Sequence, residues 1–370
     1  MHFTVGTGIA LLGRMGSSTF MRSRFRRSSG VSRVAELDGW CKHVVRLGEG
    51  IMEDLSSYVL PDGTLNGQGL WKREPLYQGM NGRWVERFYP GPEQSYVFKP
   101  LTNRESIDRE AWIYRHVLSS FPAIFPLLLA SSGEGAGEDG WTIFEDLGLL
   151  RHEYSVELAT EVVQQMAWWH SFPEQHWSGL NSQGPKPSIA SMASDLLLKR
   201  EKAASLLAEL GWAWTLDEWI DDYVSGQALS SIRVLSHGDL HLGNYAKGEN
   251  GRLYIIDWEH AHLNSPFWDL YHLIDMTHPM FPKSVTPAER ETLLSVYVSF
   301  SIPYGRSWEL ETFIRDYYRF SVIFSLWMLL LIADDLKRDE AIWPKERLLV
   351  QYEETAANLV GCLSRLAQQP

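Results

Sequence analysis

Apolar positions in this chain change their period along its length. Between Trp84 and Lys99 they alternate with polar ones, and Trp84-Val85-Glu86-Arg87-Phe88-Tyr89 and Ser95-Tyr96-Val97-Phe98-Lys99, separated by Pro90-Gly91-Pro92, predict two strands joined by a turn. From Arg104 to Ser119 the spacing becomes helical, with Ala111, Ile113, Tyr114, Val117 and Leu118 on the apolar side. The same spacing predicts helices over Ser155 to Phe172, through Leu158, Val162, Met166 and Trp169, and over Ser188 to Leu210 and Leu216 to Leu229. A short strand is predicted at Ser230 to Leu235 and another in the apolar run Leu253-Tyr254-Ile255-Ile256. The rest reads as nearly all helix: Pro266 to Met276, Thr286 to Val298, Trp308 to Leu336 and Pro344 to Ala367. Near the start, Leu37, Trp40, Cys41, Val44, Val45, Ile51 and Leu55 make a helical pattern, so packed structure is expected from about Ala35.

The first 34 residues differ from the rest. They carry Arg14, Arg22, Arg24, Arg26, Arg27 and Arg33, no acidic residue and many serines and glycines, so residues 1–34 are expected to be a disordered extension, with Met15 or Met21 as alternative starts. The whole chain has 370 residues, 45% hydrophobic, enough for a two-lobed or two-domain body with real cores. Its 34 basic and 46 acidic residues leave a net charge of -12, which argues against nucleic acid and anionic membranes and suits a cationic small molecule. Cys41 and Cys362 give no disulfide framework, so a reducing, cytoplasmic setting is expected. The longest apolar run, Leu326 to Ala333, is too short to cross a bilayer.

The chemistry concentrates in Ser236-His237-Gly238-Asp239-Leu240-His241-Leu242-Gly243-Asn244 and in Asp257-Trp258-Glu259, which ends the apolar run. An acid, an amide five residues later and a second acid at a strand end are what phosphoryl transfer requires. One carboxylate orients and deprotonates a hydroxyl, while the amide and second carboxylate hold Mg²⁺ against nucleotide phosphates. Gly238 and Gly243 permit a tight irregular loop, and Asn250-Gly251 signals a hairpin that returns Asp257 to Asn244.

His-Gly-Asp-Leu-His-Leu-Gly-Asn, then Ile-Ile-Asp-Trp-Glu, then Pro266-Phe267-Trp268-Asp269-Leu270, resembles the catalytic region of the aminoglycoside phosphotransferase and choline kinase family, small-molecule relatives of protein kinases. The resemblance implies an α+β, protein-kinase-like two-lobed fold: a small β-rich N-lobe with its preceding helix (35–146) and a large, mainly helical C-lobe (147–370). It makes Asp239 the catalytic base, Asn244 and Asp257 the Mg²⁺ ligands, His237 a support for the loop, and Asp269 a brace from the following helix. Lys99 becomes the phosphate-binding lysine of ATP or GTP, with Glu110, preferred over Glu105, as its helix glutamate. Gln78-Gly79-Met80-Asn81-Gly82-Arg83 is the candidate nucleotide-covering loop, through the amides of Gly79 and Gly82, although a plain turn explains it equally well. Trp141 to Gly148 resembles the hinge, where Glu145 to Leu147 act through main-chain groups on adenine, and His170 is expected to pack.

The acceptor is expected to be a small hydroxyl compound bound under the helices after Asp257, where Glu259, Asp269 and Asp275 are acidic and Trp258 and Trp268 aromatic. That favours an aminosugar or amino alcohol. If the strand stays extended, Glu259 shares a face with Asp257. Two other classes remain open: a metal hydrolase built on His237, Asp239, His241, His260 and His262, and a catalytically silent kinase-like binding protein.

Overall fold

The computed structural model describes residues 54–79, 81–102, 108–133, 135–180, 182–212, 232–338 and 343–368. The expected N-terminal extension, most of the helix expected from Ala35, Glu105 and the helix expected at Leu216 to Leu229 lie outside them.

The N-terminal part is an antiparallel sheet of β1 (Lys72–Gln78), β2 (Trp84–Gly91), β3 (Gln94–Pro100), β4 (Leu128–Ser131) and β5 (Trp141–Glu145), in the order β1-β2-β3-β5-β4. Alternation sends Phe88, Phe98 and Ile143 to one face, where they bury against Leu55 and Leu65. The opposite phase of β3 carries Lys99, paired with Thr142 of β5, towards the cleft. β1 is mostly exposed and carries Pro75, so the ladder to β2 and the paired hydrogen bonds from Arg73 to Glu86 (2.9 and 2.6 Å) hold it. Helix α1 (Arg109–His116) follows β3 in the chain and buries Ile113, Tyr114 and Glu110, the last against Lys99 of β3.

Beyond β5, Arg87 of β2 donates to Asp146 (3.0 Å) and to the Gly148 carbonyl (3.2 Å), tying the connection between lobes to the sheet. The C-terminal part is mainly helical. Helix α2 (Val156–Trp169) starts where Ser155 accepts the Leu158 amide. The single helix expected from Ser188 to Leu210 is two, α3 (Ile189–Leu198) and α4 (Arg200–Glu209), because Lys199 leaves helical geometry (φ -101°, ψ 24°). Short strands β6 (Val234–Ser236), β7 (Tyr245–Lys247), β8 (Leu253–Ile255) and β9 (His262–Asn264) pair as β6 with β9 and β7 with β8. Helices α5 (Pro266–Ile274), α6 (Pro287–Ser301), α7 (Leu310–Leu336) and α8 (Lys345–Ala367) complete it, and Thr286 and Glu289 form a reciprocal cap at the start of α6. No described helix is long and apolar enough to cross a membrane.

Trp169, Trp258 and Trp268 are fully buried in the main core, with Phe121 and Trp169 edge-on to Trp258 at ring distances of 5.5 and 5.4 Å. The aromatic faces of Trp258 and Trp268 expected to hold a cationic acceptor are therefore inside the protein.

Candidate active site

The loop between β6 and β7 is organised by one carboxylate. Asp269, at the start of α5 and with no exposed surface, accepts the Ser236 hydroxyl (2.5 Å), the His237 amide (2.7 Å) and the Gly238 amide (3.2 Å), and it faces His170 Nε2 (3.2 Å). Burial works against its charge, but these bonds, with His170 foremost, hold the carboxyl below the usual range. This is the brace that the resemblance implies, and it corrects the placement of Asp269 among acceptor-binding residues, because a carboxylate so enclosed presents nothing to a ligand. Asp269→Ala would leave these donors without their acceptor and should cost roughly 3 to 5 kcal/mol, read by chemical denaturation at pH 7. Since the folded pKa is depressed, the contribution is fully present above the unfolded carboxyl pKa. The difference between wild type and variant should close only as pH falls through the folded value.

His237 donates from Nε2 to the Ile256 carbonyl (2.9 Å) and accepts the Asp239 amide at Nδ1 (3.3 Å), and burial keeps its ring neutral. It joins the loop to the end of β8. Gly238 has φ +92°, and a Cβ there would lie 2.1 Å from the His260 carbonyl, so the position accepts glycine alone.

Asp239 points from this loop into a corner of cationic and imidazole groups. Lys186 Nζ donates to its Oδ1 at 2.8 Å, His272 Nε2 lies 3.7 Å from the same oxygen, and His241 Nε2 lies 3.6 Å from Oδ2. Burial opposes the Asp239 charge, but the Lys186 ammonium outweighs it and the carboxyl sits well below its usual range. Burial depresses His241 and His272 to about 3, so both rings are neutral at physiological pH. His241 accepts the Gly243 amide at Nδ1 (3.0 Å) and stacks on His278 with centroids 4.4 Å apart. Neither Lys186 nor His272 stood out in the sequence.

Asn244 donates its side-chain amide to the Asp239 carbonyl (2.7 Å), and its own carbonyl accepts the Ile256 amide (2.9 Å). That bond sets Asn244 beside Asp257. Asp257 is left-handed (φ 63°, ψ 56°), ends the strand, and starts a 3-10 turn, Trp258–His260. The backbone at Glu259 is therefore a turn and not the extended strand expected, yet its carboxylate still lies beside that of Asp257. It contacts Lys99.

Lys99 Nζ donates to Asp257 Oδ1 (2.7 Å), Glu110 Oε1 (2.9 Å) and Glu259 Oε2 (3.0 Å). Burial disfavours the ammonium, yet the three carboxylates outweigh it and hold the Lys99 pKa well above its usual value. Burial raises Glu110 to about 7, partly offset by Lys99. One ammonium among three acids leaves negative charge uncompensated, and one oxygen from each acid lies within 4.8 Å of the others. Asp257 is the open member, its side chain 38% exposed against 10% for Glu110 and 8% for Glu259. A hard dication takes oxygen ligands, which the open Asp257 carboxylate of this cluster can offer.

Asp275 binds Arg290 (2.6 and 3.0 Å), Tyr317 (2.6 Å) and Ser321 (3.0 Å) with no exposure, so it too is structural. Among the described residues, the histidines of the hydrolase alternative do not gather into a metal-binding cluster. His237 is committed to a carbonyl, and His262 contacts the His260 carbonyl (2.8 Å) and Asn264 (2.9 Å). In the expected nucleotide loop, Gly79 donates to the Arg83 carbonyl (2.9 Å) and Gly82 to the Gly79 carbonyl (2.9 Å), so these amides close a turn between β1 and β2 and are spent within it. At the expected hinge the Glu145 amide donates to the Leu127 carbonyl (3.0 Å), and Leu147 lies just beyond in the connection tied to Arg87.

A model of the APH family, described as the phosphotransferase enzyme family, matches residues 78–300, which contain Lys99, Glu110, Asp239, Asn244, Asp257 and Asp269. No curated protein sequence matches the chain. Among solved structures, a GDP complex of a mutant aminoglycoside 2'-phosphotransferase of type IIIa is similar with a TM-score of 0.53 at 16% identity, over 80% of this chain and 95% of that one. A choline kinase from Cryptosporidium parvum Iowa II is similar with a TM-score of 0.50 at 15% identity, over 84% of this chain and 94% of that one. These structures share the protein-kinase-like arrangement of a sheet-built N-lobe and a helical C-lobe. With its family model spanning both the Lys99 cluster and the Asp239 loop, the chain belongs to the phosphotransferase enzyme family.

Proposed function

We propose that this protein transfers the terminal phosphoryl group of a purine nucleoside triphosphate, ATP or GTP, to a hydroxyl of a small molecule. The observation that carries the reading is the Lys99 ammonium held between Glu110 and Asp257, with Asn244 linking that cluster to the Asp239 loop. In this reading the lobe that ends near Asp146 covers the nucleotide, with Lys99 on its phosphates and main-chain groups around Glu145 to Leu147 at the base. Asn244 and Asp257 hold Mg²⁺, which when bound offsets phosphate charge. Asp239, kept ionised by Lys186, orients the acceptor hydroxyl and takes its proton as the oxygen bonds to phosphorus. The buried thiol of Cys362 has no part in this chemistry, and the two cysteines of the chain suit a cytoplasmic enzyme.

An aminosugar or amino alcohol is the acceptor class to test first. Its support is the naming of aminoglycoside and choline kinases among similar structures, together with the net charge of -12. Asp269 and Asp275 lend it none, because both are fully enclosed by their own partners.

Release of ADP or GDP, followed with Mg²⁺ against aminoglycosides, amino alcohols and neutral sugars, tests the reading. Release should depend on one of these classes. Turnover with neutral sugars alone would reject the cationic acceptor while keeping the phosphotransferase. Nucleotide binding with no release from any class would point to the silent binding protein, a reading that the self-closed Gly79–Arg83 turn favours.

A further inference from the structure

Lys186 reaches the site from outside every motif residue. It lies in Gly184-Pro185-Lys186-Pro187-Ser188, between α2 and α3, and the two prolines restrict the backbone on both sides of it. Gly184 packs so closely on the His262 ring that a Cβ would lie 2.4 Å from Cε1. Ser188 accepts the Ser191 amide (3.2 Å) as the cap of α3. The segment is thus fixed at one end to the β6–β9 pair and at the other to a helix. Its lysine is placed, not left to wander over the surface.

The ammonium gives one N–H to Asp239 Oδ1 at 2.8 Å, and among the described residues Asp239 is its ion-pair partner. Two N–H groups remain for other acceptors. A second observation concerns the same oxygen. His272 Nδ1 lies 2.7 Å from the Trp268 carbonyl and carries the proton, which leaves a buried Nε2 lone pair, without a hydrogen-bond partner, 3.7 Å from Asp239. A carboxylate oxygen and an imidazole lone pair therefore lie 3.7 Å apart in this corner, and Lys186 supplies the cation there. Without Lys186 that corner would repel the charge of the incoming group.

We propose that Lys186 is a catalytic residue, which stays on Asp239 and donates its remaining N–H groups to the oxygens of the transferring phosphoryl group. The inference rests on the phosphotransferase reading above and assigns the cation that this reading lacks at Asp239. In the step, the acceptor oxygen bonds to the terminal phosphorus as the bond from phosphorus to the bridging oxygen breaks. The bonding pair leaves with the nucleoside diphosphate, and the hydroxyl proton passes to Asp239 and then to solvent. Lys186 keeps its proton throughout and stabilises charge that spreads over the phosphoryl oxygens.

The test uses the full chain with Mg²⁺–ADP alone and with Mg²⁺–ADP plus aluminium fluoride, a planar mimic of the group in flight. Wild type should bind the fluoride complex more tightly than Mg²⁺–ADP. Lys186→Met should lose about tenfold or more of that gain while its Mg²⁺–ADP affinity stays within about threefold, and Lys186→Arg should recover part of it. With whichever acceptor supports ADP release, kcat of Lys186→Met should fall roughly 10²- to 10³-fold. Lys186→Gln, with melting temperature as a control, replaces the methionine variant if that one misfolds. An undiminished fluoride gain in the folded variant, or a rise only in the acceptor KM, would overturn the role of Lys186 and leave the phosphotransferase reading standing. Wild-type protein that does not bind Mg²⁺–ADP would overturn both.

Discussion

Asp239→Asn is expected to lower turnover by roughly 10²- to 10⁴-fold while leaving Mg²⁺–nucleotide affinity within a few fold. The geometry separates the two effects. The loop is held by backbone groups and by Asp269, and Asn244 bonds the main-chain carbonyl of Asp239, so the side chain can change without releasing the loop. What asparagine lacks is a charge for Lys186 and a site for the hydroxyl proton. Steady-state turnover and nucleotide titration of the same preparation check the split, and equal losses in both would mean that the variant disturbs the cleft as a whole.

Asp257→Asn is expected to lower turnover on the order of 10²- to 10³-fold and, unlike the Asp239 variant, to weaken Mg²⁺–nucleotide binding as well. Asparagine is a better choice than alanine because Asp257 is left-handed, a conformation that asparagine tolerates and alanine resists. Lys99 would retain Glu110 and Glu259, so the lobes should stay joined and the loss should report the missing carboxylate. Restored turnover at high Mg²⁺ would support the metal role; a loss insensitive to Mg²⁺ would count against it.

The parts legible in the sequence are those whose physics is local. Alternation marked β2 and β3, and the cap residues Ser155, Ser188 and Thr286 fall where the helical spacing begins. The Asn250-Gly251 turn folds β7 onto β8 as its residues demand. Less legible was β1, since a strand exposed on both faces and carrying Pro75 has no apolar period to show. Lys186 was invisible because Gly-Pro-Lys-Pro reads as a loop, and its contact with Asp239 spans 53 positions.

The expectation that Glu259 lies beside Asp257 holds by a different backbone route. The left-handed Asp257 begins a turn where an extended strand was expected, yet the two carboxylates still lie side by side because both meet the Lys99 ammonium. The acids at 269 and 275 were less legible. Sequence shows that a carboxylate is present, and only the fold shows that its partners are already Ser236 and the loop amides in one case and Arg290 and Tyr317 in the other.

Calorimetric titration of the wild-type chain with ATP and GTP, with Mg²⁺ and then with excess EDTA, tests most directly that the Lys99 cluster and Asn244 form a metal-dependent nucleotide site. Saturable one-to-one binding of at least one triphosphate that weakens at least tenfold without Mg²⁺, and likewise in Asp257→Asn, is the predicted result. Heats absent for both triphosphates, or binding unchanged by EDTA and by the substitution, would contradict it.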